Sequence, residues 1–379
     1  MAIKPVKHFI STFAGAPVLT GQAGALIAVL DACLVDGFNL LTLDSLVVSG
    51  NVLTGTKAGH GFVVDQVIAT SANEAELIGE WTITSVTSGT FSAVATGVAD
   101  VTGTGTLTAK AASAGWLKVF SGTNKAAYKS ADPAATGMIL RVDDTGTTAA
   151  RVVGYESMTD IDTGVGPFPT PTQIGGGGYW TKSNSADSTA RRWLIVIDEA
   201  CLYLTVNHVG TTKHLAAFGD YASEKTGDAY RCMLQCWYSN MANTGGGWSA
   251  IGYHGFSDPG QNYLHSPRSY TQIGTSVLLT TSFIGKQNVP SGASGGMAFP
   301  SMANNGLIIG GIVAKEMQID VIRCLALPGI YATPQALPMI DLDKVGDISA
   351  LPGRTLIAAE VWINSAQGRV FFDLTGPWR

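Results

Sequence analysis

The sequence predicts a mainly β, multi-domain β-sandwich protein with one short N-terminal helix. Three observations lead there. Helical periodicity occurs once, where Leu26, Ile27, Leu30, Cys33 and Leu34 recur at three- and four-residue spacing. Beyond Gly37 the pattern becomes short runs of β-branched and aromatic residues alternating with Thr, Ser and Gly, as in Trp81-Thr82-Ile83-Thr84 and Thr104-Gly105-Thr106-Leu107-Thr108. The 379 residues include 46 glycines, about 12% against roughly 7% in an average chain, and these follow no period of three, so they mark turns and not a collagen-like polymer.

The helix is expected from Gln22 to Val35, with Gly37 just past its end. Residues 40–110 read as an immunoglobulin-like β-sandwich insert, with strands near 44–48, 62–69, 79–86, 90–95 and 104–109. Its charges are mostly negative: Asp44, Asp65, Glu74, Glu76, Glu80 and Asp100 against Lys57 and Lys110. At Gly115 the texture changes to aromatic-rich strands, among them 116–120, 138–142, 192–197 and 201–206. The last two flank Asp198-Glu199-Ala200 and read as a hairpin. The division that follows is an N-terminal segment with the helix (1–39), the insert (40–110) and a larger β domain (111–379). Long Gly- and Pro-rich connections, 164–178 and 289–300, lie within the last.

Composition removes several classes of function. The chain is 46% hydrophobic and only 13% charged, which excludes disorder. A net charge of −5, with Arg191-Arg192 as the longest basic cluster, leaves no phosphate-neutralising face, so no nucleic-acid partner is expected. The best apolar run, Ala23 to Leu30, is far short of the roughly 20 residues of a membrane span, so no membrane insertion is expected. Cys33, Cys201, Cys232, Cys236 and Cys324 are odd in number and scattered, which predicts buried free thiols and not a disulfide framework.

Each formal catalytic motif fails on context. Gly292-Ala293-Ser294-Gly295-Gly296 fits a nucleophile elbow, but Pro290-Ser291 stand where a buried strand should enter. Gly175 to Gly178 lacks the Gly-Lys-Ser/Thr ending of a phosphate loop. Asp160-Ile161-Asp162 lacks the further acids of a calcium loop, and Asp143-Asp144-Thr145-Gly146 reads as turn chemistry. His208 and His214 are badly spaced for a metal. No catalytic, metal or cofactor-binding residues are therefore assigned, and the expectation is a non-enzyme without cofactors.

Two groups remain as candidate contacts. Aromatic residues gather as Trp237, Tyr238, Trp248, Tyr253, Phe256 and Tyr263, with His254 among them. Flat rings beside small polar neighbours suit a receptor, a glycan or another subunit, and a β-rich core also uses them. The ending Val370 to Arg379 carries an apolar strand, a Gly-Pro turn and then Trp378 and Arg379. It predicts a last strand that docks Trp378 in a pocket while Arg379 pairs with a carboxylate of the same or a neighbouring subunit.

The segment Arg151-Val-Val-Gly-Tyr155-Glu-Ser-Met-Thr-Asp160-Ile-Asp-Thr-Gly164, with Pro167-Phe168-Pro169, Tyr179-Trp180, Arg192-Trp193 and the ending Phe372 to Arg379, resembles uncharacterised structural proteins of tailed bacteriophages. The resemblance spans about 110–379 and leaves 40–110 as a variable insertion. It implies a virion component made in the bacterial host cytoplasm, associated with the tail or baseplate, that acts through assembly with other virion proteins and copies of itself. It transfers no catalytic motif. The alternatives are a receptor- or glycan-binding module facing a host surface glycan, and a neck or capsid decoration protein.

Overall fold

A computed structural model of the chain describes residues 5–209, 212–237, 264–282, 299–302, 305–335, 337, 341–346, 348–363 and 366–379. It is mainly β, built of several antiparallel sheets with one short α-helix, the class that the sequence periodicity predicts. Among the described residues no helix is long and apolar enough to cross a membrane.

The central layer is a nine-stranded sheet. Its order is Lys7–Ile10, Arg192–Ile197, Cys201–Val209, Thr212–Asp220, Cys232–Gln235, Leu264–Ser266, Val277–Ser282, Val313–Glu316 and Val321–Cys324. Both faces are buried, which explains the unbroken apolar run Trp193 to Ile197. One face, with Leu202, Leu204, Phe218 and Leu234, packs on the helix and on a five-stranded sheet from Leu117–Gly122 to Gly178–Thr181. The other, with Tyr203, Leu215, Met233 and Leu279, packs on a C-terminal sheet that includes Ile330–Ala332, Leu356–Ile363 and Ala366–Asp373. The 192–197 and 201–206 runs do form a hairpin, paired from Arg192↔Asn207 to Ile197↔Leu202.

The helix covers Ala25–Leu30 and continues as a wider π-type turn over Asp31–Asp36. It starts later than the periodicity suggests because Gly24 takes φ 79°, a left-handed conformation that favours glycine.

The segment 38–111 has its own apolar cluster, including Leu46, Leu53, Ile68, Ile83, Phe91 and Ala109. Two sheets share the strand Gly79–Val86. Its first half pairs with Val67–Ser71, and its second half pairs with Thr90–Val94. The Leu43 N–H donates to the Leu107 carbonyl and the Gly103 N–H to the Leu46 carbonyl, which joins the two sheets along a second seam. Two strand limits differ from the sequence expectation. Val63 to Gln66 turns instead of extending, with Asp65 at φ 67°, so that strand runs only over Val67–Ser71. Glu74 accepts from the Thr104 N–H and hydroxyl and holds 104–107 as a loop between Val101–Thr102 and Thr108–Ala111. The strand Val52–Thr56 is additional. Gly50 and Asn51, both at positive φ, form the two-residue turn before it.

Candidate functional site

Where the C-terminal tail returns to the central sheet, a cleft of about 810 Å³ opens, lined by Asp132, Glu199, Asp220, Lys225, Arg231 and Trp378 among others. Three loops and the tail build it. The 198–200 turn joins two central strands, 131–135 precedes Ile139–Asp143, and 220–228 leaves the strand Thr212–Asp220.

The tail forms one wall. Trp378 stands over Gly329, where φ is 62° and a Cβ would lie 2.0 Å from the indole, so only glycine fits there. Its ring lies 5.8 Å from that of Tyr203, and its Nε1–H donates to the Asp373 carbonyl at 3.0 Å. Arg379 donates through Nη2 to both oxygens of Asp198, at 2.8 and 2.7 Å, and through Nη1 to the Asp220 carbonyl at 2.7 Å. The tail contacts are thus made within one chain.

Two acids of the cleft, Asp198 and Asp220, are already engaged. Both oxygens of Asp220 accept from Thr136, one from its N–H and one from its hydroxyl, each at 2.6 Å. Burial pushes the Asp220 pKa up, and these two bonds with the Arg231 and Arg379 charges oppose it. Arg231 donates to the carbonyls of Ala134 and Asp228, tying two of the loops together. The arrangement can lock loops and a terminus. It does not free a carboxylate pair for acid–base chemistry at Asp198 and Asp220.

Two further ionic clusters sit deeper, and sequence reasoning found neither. Asp144 and Lys182 pair with both side chains fully buried. The Leu26 and Ile27 N–H groups donate to Asp144 Oδ2 at 2.7 and 3.3 Å, satisfying the open start of the helix. Lys182 also donates to the Gln22 carbonyl. Burial pushes Asp144 up and Lys182 down, and their mutual attraction opposes both shifts. Only Asp143 has the turn role expected for the pair, accepting from the Thr145 N–H and hydroxyl. Asp144 is a buried anchor for the helix, which corrects the expectation for that residue. In the second cluster the buried Arg323 bridges Asp228 at 3.1 Å and Glu316 at 3.2 Å, and Nη1 donates to the Arg268 carbonyl.

The remaining sequence candidates fall as follows. Trp237 is 2% exposed, lies edge-on to His214 at 5.6 Å and bridges to Tyr179, so it belongs to the core. Tyr238, Trp248, Tyr253, Phe256 and Tyr263 lie outside the described residues, as do His254 and the 292–296 motif. Asp162 pairs with Lys125 and Arg141, and Asp160 accepts from the Asp162 N–H. Among the described residues no three His, Cys, Asp or Glu side chains group to hold a metal. All five cysteines are buried free thiols, and burial raises their pKa values, that of Cys324 to about 12. No family model matches the chain, and no curated protein matches it.

Proposed function

We propose that the chain is a non-enzymatic structural subunit of a tailed-bacteriophage virion, attached at the tail or baseplate and working by assembly. One observation carries the reading: Arg151, Glu156, Trp180 and Trp193 of the phage-like words, and Asp198, Asp220, Arg231 and Arg379 of the cleft, are spent on holding strands and loops together. Arg151 lies 4.0 Å over the Tyr179 ring and donates to the Gly175 and Gly177 carbonyls. Trp180 Nε1–H donates to the Gln235 carbonyl, and Trp193 Nε1–H to that of Pro17. Glu156 grips Arg268 through both oxygens. Such a network favours a rigid surface over a reactive centre. The low charge supports the same reading, because a chain that meets neighbours over flat faces has few ions to desolvate.

Electron microscopy of purified particles with a labelled antibody against the chain tests the proposal. Label along the tail or at the baseplate is expected. Particles without label refute it, and label confined to fibre tips replaces it with the receptor-binding reading.

A further inference from the structure

We infer that the 38–111 segment is hinged on the rest of the chain and is released as a folded unit by mild acid, with His8 as the group that takes up the proton when the seam opens.

The hinge follows from the topology. The chain enters and leaves the segment side by side, because Phe38 pairs with Ala111 across the strands Phe38–Thr42 and Thr108–Ala111. Phe38 and Ala111 are rooted in the core of the body, whereas the residues beyond them gather in a separate apolar cluster. A unit with its own core and two adjacent chain crossings can turn about that line without unfolding.

Away from the hinge, ionic contacts fasten the seam. Lys344, on the C-terminal strand Lys344–Val345, donates to Asp65 Oδ2 at 2.7 Å and to the Val64 carbonyl at 3.2 Å. Lys7, on the edge strand Lys7–Ile10 of the central sheet, pairs with Glu80 at 2.6 Å. At least one partner of each pair meets water, so these contacts hold the segment only loosely. Ala14 closes the seam beside them, against Gly61, where a Cβ would lie 2.5 Å from that of Ala14.

His8 lies where these three parts of the molecule meet. It is 2% exposed and its Nε2 has no hydrogen-bond partner. Phe13 stands edge-on to the imidazole at 5.6 Å, and Val196 is its neighbour across the strand pair. The charges that act on it are Lys344 from the C-terminal sheet and Asp65 from the segment, while Lys7, next along the strand, points to the opposite face and is engaged by Glu80. A proton on His8 in the closed seam would put a second positive charge near Lys344 with an N–H that finds no acceptor. Opening supplies that N–H with water.

Burial, with the Lys344 charge adding to it and Asp65 opposing it, lowers the His8 pKa to about 3, against about 6.5 for an imidazole in water. The closed seam therefore keeps its full stability above about pH 6.5 and loses it as pH falls towards 3. The opening constant rises about 30-fold between pH 7.5 and pH 5, a range in which ordinary carboxylates stay ionised.

Amide hydrogen exchange of the intact chain at pH 7.5 and pH 5, corrected for the intrinsic pH dependence of exchange, tests the inference. Residues 11–16 and 61–66 report the seam, 44–56 the inside of the segment and 201–206 the body. In wild type, acid should cost the seam about 30-fold in protection and leave 44–56 and 201–206 within about threefold. His8→Leu and His8→Gln, each checked for folding by circular dichroism, should hold the acid effect at the seam below about threefold. Asp65→Asn should raise seam exchange at both pH values and keep the acid-driven increase. An acid effect below about threefold in wild type, or one that persists in both His8 variants, overturns the inference. Equal loss at the seam and at 44–56 or 201–206 also overturns it, because the event is then unfolding and not release. Loss of the acid effect in Asp65→Asn would move the proton acceptor to Asp65 and overturn the assignment to His8.

Discussion

Removing the buried cation Lys182 should unlock the helix from the body of the protein. In Lys182→Met the Asp144 carboxylate, fully buried and shared with the Leu26 and Ile27 N–H groups, loses its counter-charge. Breaking one side of a buried pair costs about 3–5 kcal/mol, far more than an exposed pair at about 0–1 kcal/mol. The cost depends on pH. Burial already raises the Asp144 pKa above its unfolded value, and without Lys182 nothing from that side opposes the rise. A group whose folded pKa is raised contributes stability below its unfolded pKa and loses it as pH rises through the folded value. Lys182→Met is therefore least destabilised in acid and most destabilised at neutral pH. Asp144→Asn in the same background removes the buried charge and keeps an oxygen for the helix N–H groups, so the double variant should recover most of the loss. Amide hydrogen exchange over 25–36 reads the effect locally, and about 3 kcal/mol corresponds to a loss of protection of more than about 100-fold. A loss below about fivefold, or one independent of pH and not rescued by Asp144→Asn, would refute the reasoning.

Four other outcomes follow from the same structure. Arg323→Met leaves Asp228 and Glu316 buried without their shared cation and should cost about 3–5 kcal/mol in urea unfolding, whereas Lys315→Met, at an exposed pair, should cost less than about 1 kcal/mol. Gly329→Ala forces a Cβ into the Trp378 ring at positive φ, and limited proteolysis should release the tail from it but not from wild type. All five thiols should resist a thiol reagent in the native protein and react together on unfolding, because burial holds them protonated. Burial lowers the pKa of His8 to about 3, so its contribution is present above about pH 6.5 and is lost as pH falls towards 3, and His8→Leu should move the acid-unfolding midpoint to lower pH.

What could be read from the sequence was local. The helix was visible because its apolar stripe is continuous, and the 192–206 hairpin because its turn lies between two long apolar runs. The Gly50-Asn51 turn carried a usable signal for the strand Val52–Thr56, since Gly-Asn between β-branched runs favours a two-residue turn. The ionic anchors gave no such signal. Asp144 lies 38 residues from Lys182 and 118 from the Leu26 N–H it accepts, while the neighbouring Thr145-Gly146 supplied a sufficient local explanation that Asp143 alone fulfils. Arg323 and Asp228 are 95 residues apart, and Arg379 and Asp198 are 181 apart. Pairs at such separations are set by topology. The tail could be read only halfway: Trp-Arg after an apolar strand indicated docking, but which carboxylate Arg379 meets depended on how the last strand returns to the central sheet.

The most direct test of the assembly account is the form of particles made when the chain is withheld, for instance by a stop codon early in its reading frame. The account predicts particles with absent or truncated tails or disordered baseplates, restored when the chain is supplied in trans. Complete, infectious particles made without it would contradict the account.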